Sequence, residues 1–295
     1  MEIMSARDLS KYVKINEKKI YELVRECKVP SMKIGGTIAF VKELIDRWIL
    51  ENTEGEPQLF LAGSDDILLS NVIDAYNNAY DSLRRGIVFY APVGSINGLK
   101  ALKAKKATMA SVHILNSAKN ENDFSYLDKY LGQDDYVVVH LFLREQGIIV
   151  QKGNPKGIKS FRHIAEKDAT FISRNQGSGT RLLLDYLLNE ARIDPTSIKG
   201  YEVEADSHLQ VGLSVLKGAS DAGFGVQYVA YMLGLGFVPL FKERFDLVIP
   251  RERYYNSHIK AFLAFIEQCS LIHNARDYTG YDTAKTGEIV YPPAS

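Results

Sequence analysis

Ser173-Arg174-Asn175-Gln176-Gly177-Ser178-Gly179-Thr180-Arg181 decides how this chain is read. The β-prone run Thr170-Phe171-Ile172 precedes it, and an apolar pattern of helical period runs from Ser178 to Glu190. The stretch is therefore a strand-to-helix turn dense in glycine, hydroxyl and amide groups. Such a turn suits an anion. At a helix N-terminus the first backbone N–H groups lack partners and the helix dipole is positive; glycine permits close approach and hydroxyls add donors. Simple N-capping accounts for one serine but does not require so dense a cluster.

Working outward, the same alternation of short strands and amphipathic helices fills the chain from Gln58 onward. Strands are expected at Leu59–Gly63, Gly86–Tyr90, Thr108–Val112 and Tyr136–Phe142, the last continuing through Gly147–Val150. Helices are expected at Ile67–Tyr80, Ile96–Ala104 and Asp123–Leu131. A second set follows: strands at Thr170–Ile172, Tyr201–Val203, Asp221–Phe224 and Phe237–Ile249, and helices at Ser178–Glu190, Ser207–Lys217 and Asn256–Cys269. This is the rhythm of an α/β domain, in two lobes with strands passing between them and a cleft for a ligand. Ligands of open α/β sheets bind at the carboxyl ends of strands. Three further turns stand at such places: Gly63-Ser64-Asp65-Asp66, Gly94-Ser95-Ile96-Asn97-Gly98 and Ala205-Asp206-Ser207-His208.

The first 50 residues read differently. Ser5 is a plausible N-cap for a helix carrying Ala6, Leu9, Tyr12 and Val13; Asn16 can cap a second with Ile20, Leu23 and Val24 on its apolar face. Val29-Pro30 ends it. Two β-prone runs then flank Gly35-Gly36, a pair suited to a two-residue hairpin, before a third helix from Val41 to Leu50. Helix, turn, helix, wing, helix is the order of a winged helix-turn-helix. Ten Lys/Arg against seven Asp/Glu leave this piece at net +3 on a chain whose 36 basic and 36 acidic residues balance, which points to a polyanion contact. The polar stretch Glu51-Asn52-Thr53-Glu54-Gly55-Glu56-Pro57 reads as a linker, giving units at 1–52 and 58–295 joined by 53–57.

Two resemblances sharpen these expectations. Ser5-Ala6-Arg7-Asp8-Leu9, Ile20-Tyr21, Val29-Pro30, Ile34-Gly35-Gly36 and Asp46-Arg47-Trp48 resemble the excisionase-like, MerR-type DNA-binding domain. There the start of the second helix enters the major groove. The resemblance implies Asn16, Lys18, Lys19 and Tyr21 as groove and phosphate contacts, Lys33 and Thr37 as wing contacts to the backbone, and a homodimer on two half-sites. The Ser173–Arg181 stretch with Leu184-Asp185, Ser207-His208-Leu209-Gln210-Val211, Gly218–Gly225 and Gly280-Tyr281-Asp282-Thr283 resembles cytoplasmic domains related to periplasmic molybdate- and tungstate-binding proteins. That family implies a type 2 periplasmic-binding-protein-like fold and an oxyanion ligand, molybdate or tungstate. By matching position, Ser64, Ser95, Arg174, Ser178 and Thr180 are the implied oxyanion donors, with Gln176, Ser207 and Tyr228 as further candidates. The loop Ala62-Gly63-Ser64-Asp65-Asp66 departs from the hydroxyl-rich loop of dedicated tungstate binders; its two carboxylates would repel a dianion unless they point away.

Other chemistries find no support in the sequence. No Gly-x-Ser-x-Gly elbow, phosphate-binding P-loop or dinucleotide fingerprint is present. The six histidines lack metal spacing, and Cys27 and Cys269 fit two reduced thiols. No secretory signal and no membrane-length apolar run occur, so a cytoplasmic chain that does not enter a membrane is expected. The expectation is a cytoplasmic one-component transcriptional regulator binding double-stranded DNA and sensing an oxyanion, with no catalytic residues, no metal and no cofactor. The alternative is an enzyme or delivery protein of molybdenum-cofactor metabolism that uses the same cleft domain.

Overall fold

The computed structural model describes residues 2–53, 58–79, 86–113, 124–132, 135–273 and 278–292. The chain begins with β1 (Ile3–Ser5), α1 (Ala6–Val13), α2 (Glu17–Arg25), β2 (Met32–Ile34), β3 (Thr37–Val41) and α3 (Lys42–Thr53). Local chemistry sets these boundaries. The Ser5 hydroxyl accepts the Asp8 N–H at 3.2 Å while the Asp8 carboxylate accepts the Ser5 N–H at 3.0 Å, a capping box. Lys14, in the left-handed region at φ 56°, ends α1, and the Asn16 side chain starts α2 by accepting the Lys19 N–H at 2.8 Å. Gly35 and Gly36, at φ 54° and 84°, turn β2 into β3. Leu9, Ile20, Val29, Phe40 and Ile45 form the core of this head.

Two details differ from the sequence reading. Ile3–Ser5 adds a strand ahead of the first helix, pairing with Ala39–Val41, because Met4 packs into the head's core while the backbone completes the edge of the hairpin. The third helix, expected to end at Leu50, runs on through Thr53, so the first three residues of the polar stretch that reads as a linker are helical; residues 54–57 lie outside the described residues.

The rest of the chain follows as β4 (Leu59–Gly63), α4 (Ile67–Asn78), β5 (Val88–Ala91), α5 (Ser95–Lys103), β6 (Met109–Val112), α6 (Ser125–Leu131) and β7 (Tyr136–Val150). Then come α7 (Phe161–Glu166), β8 (Phe171–Arg174), α8 (Gly179–Glu190), β9 (Glu204–Ala205), α9 (His208–Leu216), β10 (Ala222–Val226), α10 (Gln227–Met232) and β11 (Gly236–Pro250). The chain closes with α11 (Arg251–Tyr254), α12 (Ser257–Gln268), α13 (Ser270–His273), β12 (Tyr281–Asp282) and β13 (Ile289–Tyr291). Tyr80 and Asp123, expected at helix ends, lie outside the described residues.

Among the described residues the sheet runs β5-β4-β6-β11-β7-β10-β8-β9. β7 and β11, 15 residues each, pair antiparallel along their whole length and are the strands shared by both lobes. The first lobe joins them through β6, whose Ala110–Val112 pair with Asp246–Val248. The second lobe joins at the other end, where Ala222–Val226 of β10 pair with Gln146–Val150. Both faces of the sheet are covered, so the central strands are apolar on both sides. In the first lobe Leu59, Leu61, Val72, Phe142, Phe245 and Phe262 pack on one face, and Leu99, Val112, Leu127 and Val138 on the other. Phe161, Phe171, Leu184 and Phe224 fill one face of the second lobe, and Ile149, Val211, Val215 and Val229 the other.

One expected strand is displaced. Tyr201–Val203 form a turn, and the strand is the next two residues, Glu204–Ala205. Gly200 at φ 90° bends the chain and its carbonyl accepts the Val203 N–H at 2.9 Å, while the Tyr201 ring lies 4.0 Å from the Arg181 guanidinium. No helix among the described residues is long and apolar enough to cross a membrane. The head rests on the first lobe: Arg47 of α3 forms an ion pair with Glu252 of α11.

Candidate functional site

The turns picked out by the sequence come together between the lobes. Lobe one contributes the loops after β4 and β5 and the end of β6; lobe two contributes the end of β8 and the starts of α8 and α9. Contact is close. A Cβ on Gly179, at the start of α8, would lie 2.3 Å from His113 Nε2 and 2.6 Å from the His113 carbonyl oxygen, so glycine is what lets this helix approach β6.

Ser64 and Ser95 meet first. Their hydroxyls are 2.6 Å apart, and Ser64 Oγ is 2.8 Å from His113 Nδ1. Arg144 Nη2 also lies 3.2 Å from that nitrogen. Because a guanidinium only donates, Nδ1 accepts and the His113 proton sits on Nε2. Burial, with Arg144 and Arg174 nearby, holds the His113 pKa well below that of a free imidazole, in keeping with a neutral ring.

Beneath these residues lies a fully buried ionic cluster spanning both long strands. Arg144 of β7 donates from Nε to Glu243 Oε1 of β11 at 2.5 Å, and from Nη1 to Asp66 Oδ2 at 2.6 Å and to the Asp65 carbonyl at 3.1 Å. Its face lies 4.7 Å from the Phe245 ring. Gln146 extends the cluster, donating to Glu243 Oε1 at 2.6 Å and to Thr180 Oγ1 at 3.1 Å; His208 Nε2 is 3.5 Å from that hydroxyl. Burial raises the Asp66 and Glu243 pKa values even though Arg144 opposes it. Burial also pulls the Arg144 pKa down, but Glu243 and Asp66 outweigh it and leave it above the usual guanidinium value. The His208 pKa is pushed well below an ordinary histidine's, first by burial and then by Arg174.

The two carboxylates of the first loop take opposite directions. Asp66 points away from the second lobe: it caps α4 by accepting the Leu69 N–H at 2.9 Å and accepts the Tyr281 hydroxyl at 2.7 Å. Asp65 points across the cleft. Its Oδ2 accepts from Arg174 Nη1 at 3.1 Å and from the backbone N–H of His208, the first residue of α9, at 3.2 Å. A guanidinium and a helix N-terminus thus hold one carboxylate, the arrangement that stabilises a negative oxygen. Arg174 is itself buried, and its pKa is lowered chiefly by burial although Asp65 opposes this.

Four of the expected oxyanion residues, Ser64, Ser95, Arg174 and Thr180, are buried in this cluster. Ser178 and Ser207 are N-caps, accepting the Arg181 and Gln210 N–H groups at 3.1 Å each; Ser178 Oγ also donates to the Asn175 carbonyl at 2.8 Å. Gln176 is exposed, its N–H bonded to Glu204 Oε1 at 3.1 Å. Tyr228 packs among tyrosines, 4.7 Å from the Tyr278 ring and 6.1 Å from Tyr281. Sequence reasoning missed Arg144, Gln146, Glu243 and His113. A signal existed: Arg144-Glu145-Gln146 sets three consecutive polar residues into a mostly apolar 15-residue strand, as Lys242-Glu243-Arg244 does in β11. Polar residues inside a central strand need buried partners.

On the head, all six expected DNA-contact residues, Asn16, Lys18, Lys19, Tyr21, Lys33 and Thr37, are exposed. Asn16 also serves as the α2 cap, and Lys19 pairs with Glu22 at 3.1 Å.

Comparisons with known proteins agree with this architecture. The uncharacterized protein YvgK of Bacillus subtilis (strain 168) is 25% identical over 300 residues, covering 94% of each chain. Among solved structures, a tungstate ABC transporter protein from Geobacter sulfurreducens is 19% identical with a TM-score of 0.51, covering 72% of this chain and 98% of its own. The effector binding domain of QuiR, solved with shikimate, is 15% identical with a TM-score of 0.52, covering 72% and 97%. At these identities the two structures speak to fold alone. The model of the PBP superfamily domain matches residues 78–267, and by that match the chain belongs to the PBP superfamily domain family.

Proposed function

We propose that this chain is a one-component transcriptional regulator. Its head, a winged helix-turn-helix over residues 1–52, binds double-stranded DNA, and the cleft of its PBP-like domain senses a small oxyanion, with molybdate and tungstate the first candidates. The observation that carries the sensing half is Asp65 Oδ2 held by Arg174 and the first amide of α9, at 3.1 and 3.2 Å: this pair of donors accepts a negative oxygen. The buried hydroxyls of Ser64, Ser95 and Thr180 supply further polar groups between the lobes. The tungstate-transport and effector-binding neighbours support a ligand cleft of this kind. The DNA-binding half is supported by the net charge of the head and by six exposed candidate contacts at the start of α2 and on the β2–β3 hairpin. A single head makes few contacts, so the working species is a homodimer on two half-sites.

Coupling has a physical route. The head rests on Glu252 of α11, which directly follows β11, one of the two strands shared by the lobes. A change in the angle between the lobes shifts this platform and the spacing of two heads. The ligand alters DNA affinity only by its differential affinity for the two arrangements.

The test has two arms. Calorimetric titration with molybdate, tungstate, sulfate and phosphate is expected to give heat with at least one, and Arg174→Ala to weaken that binding at least about tenfold, or about 1.4 kcal/mol. No heat with any of the four removes the sensing reading. A gel shift with the DNA upstream of the chain's own gene is expected to show specific retardation. Without it, the cleft belongs instead to a delivery protein or an enzyme of molybdenum-cofactor metabolism.

A further inference from the structure

The Asp65 carboxylate bridges the cleft from one lobe to the other. It leaves the first lobe on the loop after β4, and both of its donors, Arg174 and the His208 N–H, belong to the second lobe, 109 and 143 residues away in sequence. Two further observations show how it is mounted. The Asp65 carbonyl is pinned by Arg144 Nη1 at 3.1 Å and the next residue, Asp66, caps α4, so the backbone is held on both sides. The Asp65 side chain is 17% exposed, whereas the Arg174 side chain beneath it is 4% exposed. Release of the carboxylate therefore needs only a rotation about its own side-chain bonds, a small change within ordinary rotamers.

The charges make occupancy exclusive. Arg144 is already met by Asp66 and Glu243, at 2.6 and 2.5 Å. Arg174 and the α9 terminus are left to a single anion. Placing a second anion beside Asp65 in this buried setting would set like charges against each other where screening is weak.

We propose that Asp65 is the specificity-determining residue of the cleft: a tethered anion that fills the second lobe's anion position, so that an external oxyanion is admitted only by displacing it. This rests on the oxyanion reading above and describes how that site is regulated. A tethered group competes intramolecularly, without having to be captured from solution, so it raises the ligand level that the cleft needs before it responds. It also keeps the two lobes bridged until a ligand takes over its donors.

The test is calorimetry of molybdate and of inorganic phosphate with the full chain as wild type, Asp65→Ala and Asp65→Asn, at neutral pH. Both variants are expected to bind at least one anion about tenfold more tightly than wild type or better. The near-isosteric Asp65→Asn keeps the test decisive should Asp65→Ala fold poorly. Binding by wild type with unchanged or weaker binding by the folded variants overturns this proposal and leaves the oxyanion reading standing. No uptake of either anion by any of the three chains overturns this proposal, and the oxyanion reading falls with it only if tungstate and sulfate also give no heat.

Discussion

Arg144 and Glu243 face each other in register across the two long strands that join the lobes, guanidinium to carboxylate at 2.5 Å, both buried. The pair is a junction: the same arginine reaches Asp66 of the first lobe, and through Gln146 the same glutamate reaches Thr180 of the second. A buried ion pair of this kind adds little net stability compared with an apolar replacement, but losing one member is costly.

The first prediction concerns that cost. Arg144→Met leaves Asp66 and Glu243 without their cation, at a loss of about 3–5 kcal/mol in mildly alkaline buffer. Both carboxyls already have raised pKa values, so protonation relieves them as pH falls. The gap in denaturant stability between wild type and variant is therefore expected to narrow from about pH 8 to about pH 5. A gap that widens in acid contradicts this account.

The two buried histidines act in the opposite sense. Burial depresses the pKa of His113 and His208 below that of the unfolded chain, so the unfolded state binds protons first. Their contribution is present above about pH 6.5 and is lost as pH falls toward the depressed values, by up to about 1.4 kcal/mol per pH unit for each. Urea melts of wild type and His208→Asn from about pH 7.5 to about pH 5.5 are expected to show a shallower decline in the variant.

Gly179 offers a steric test of how the lobes meet. In Gly179→Ala the added methyl would stand 2.3 Å from His113 Nε2 and 2.6 Å from its carbonyl, too close for the present approach of α8 to β6. Small-angle scattering is expected to report a larger radius of gyration, with a stability loss of about 1–3 kcal/mol. An unchanged radius shows that the contact relaxes locally.

Lys19 tests the head. Its ion pair with Glu22 is exposed at the surface and contributes about 0–1 kcal/mol, so Lys19→Ala is expected to melt like wild type. If Lys19 meets a phosphate, the variant binds operator DNA more weakly and the slope of log affinity against log salt falls by about 0.9. Fluorescence anisotropy over a salt series reads both quantities; an unchanged slope removes Lys19 from the interface.

The features legible in the sequence were those that local chemistry decides. Ser5, Asn16, Ser178 and Ser207 cap helices through hydrogen bonds to the third residue beyond, and Gly35-Gly36 turns a hairpin, so element order and the strand-to-helix turns could be read residue by residue. The direction of each polar side chain was not legible. Asp65 and Asp66 are neighbours of the same type, yet one caps its own helix and the other crosses the cleft. Arg144 finds Glu243 through a strand register set 99 residues away, and Arg174 finds Asp65 across 109. Composition and local pattern determined that this chain would build α/β lobes with polar turns at the strand ends. Only the tertiary structure decided which charges share a buried space, because pairing there is selected by desolvation and by the packing of distant strands, and neither is written in any short stretch of sequence.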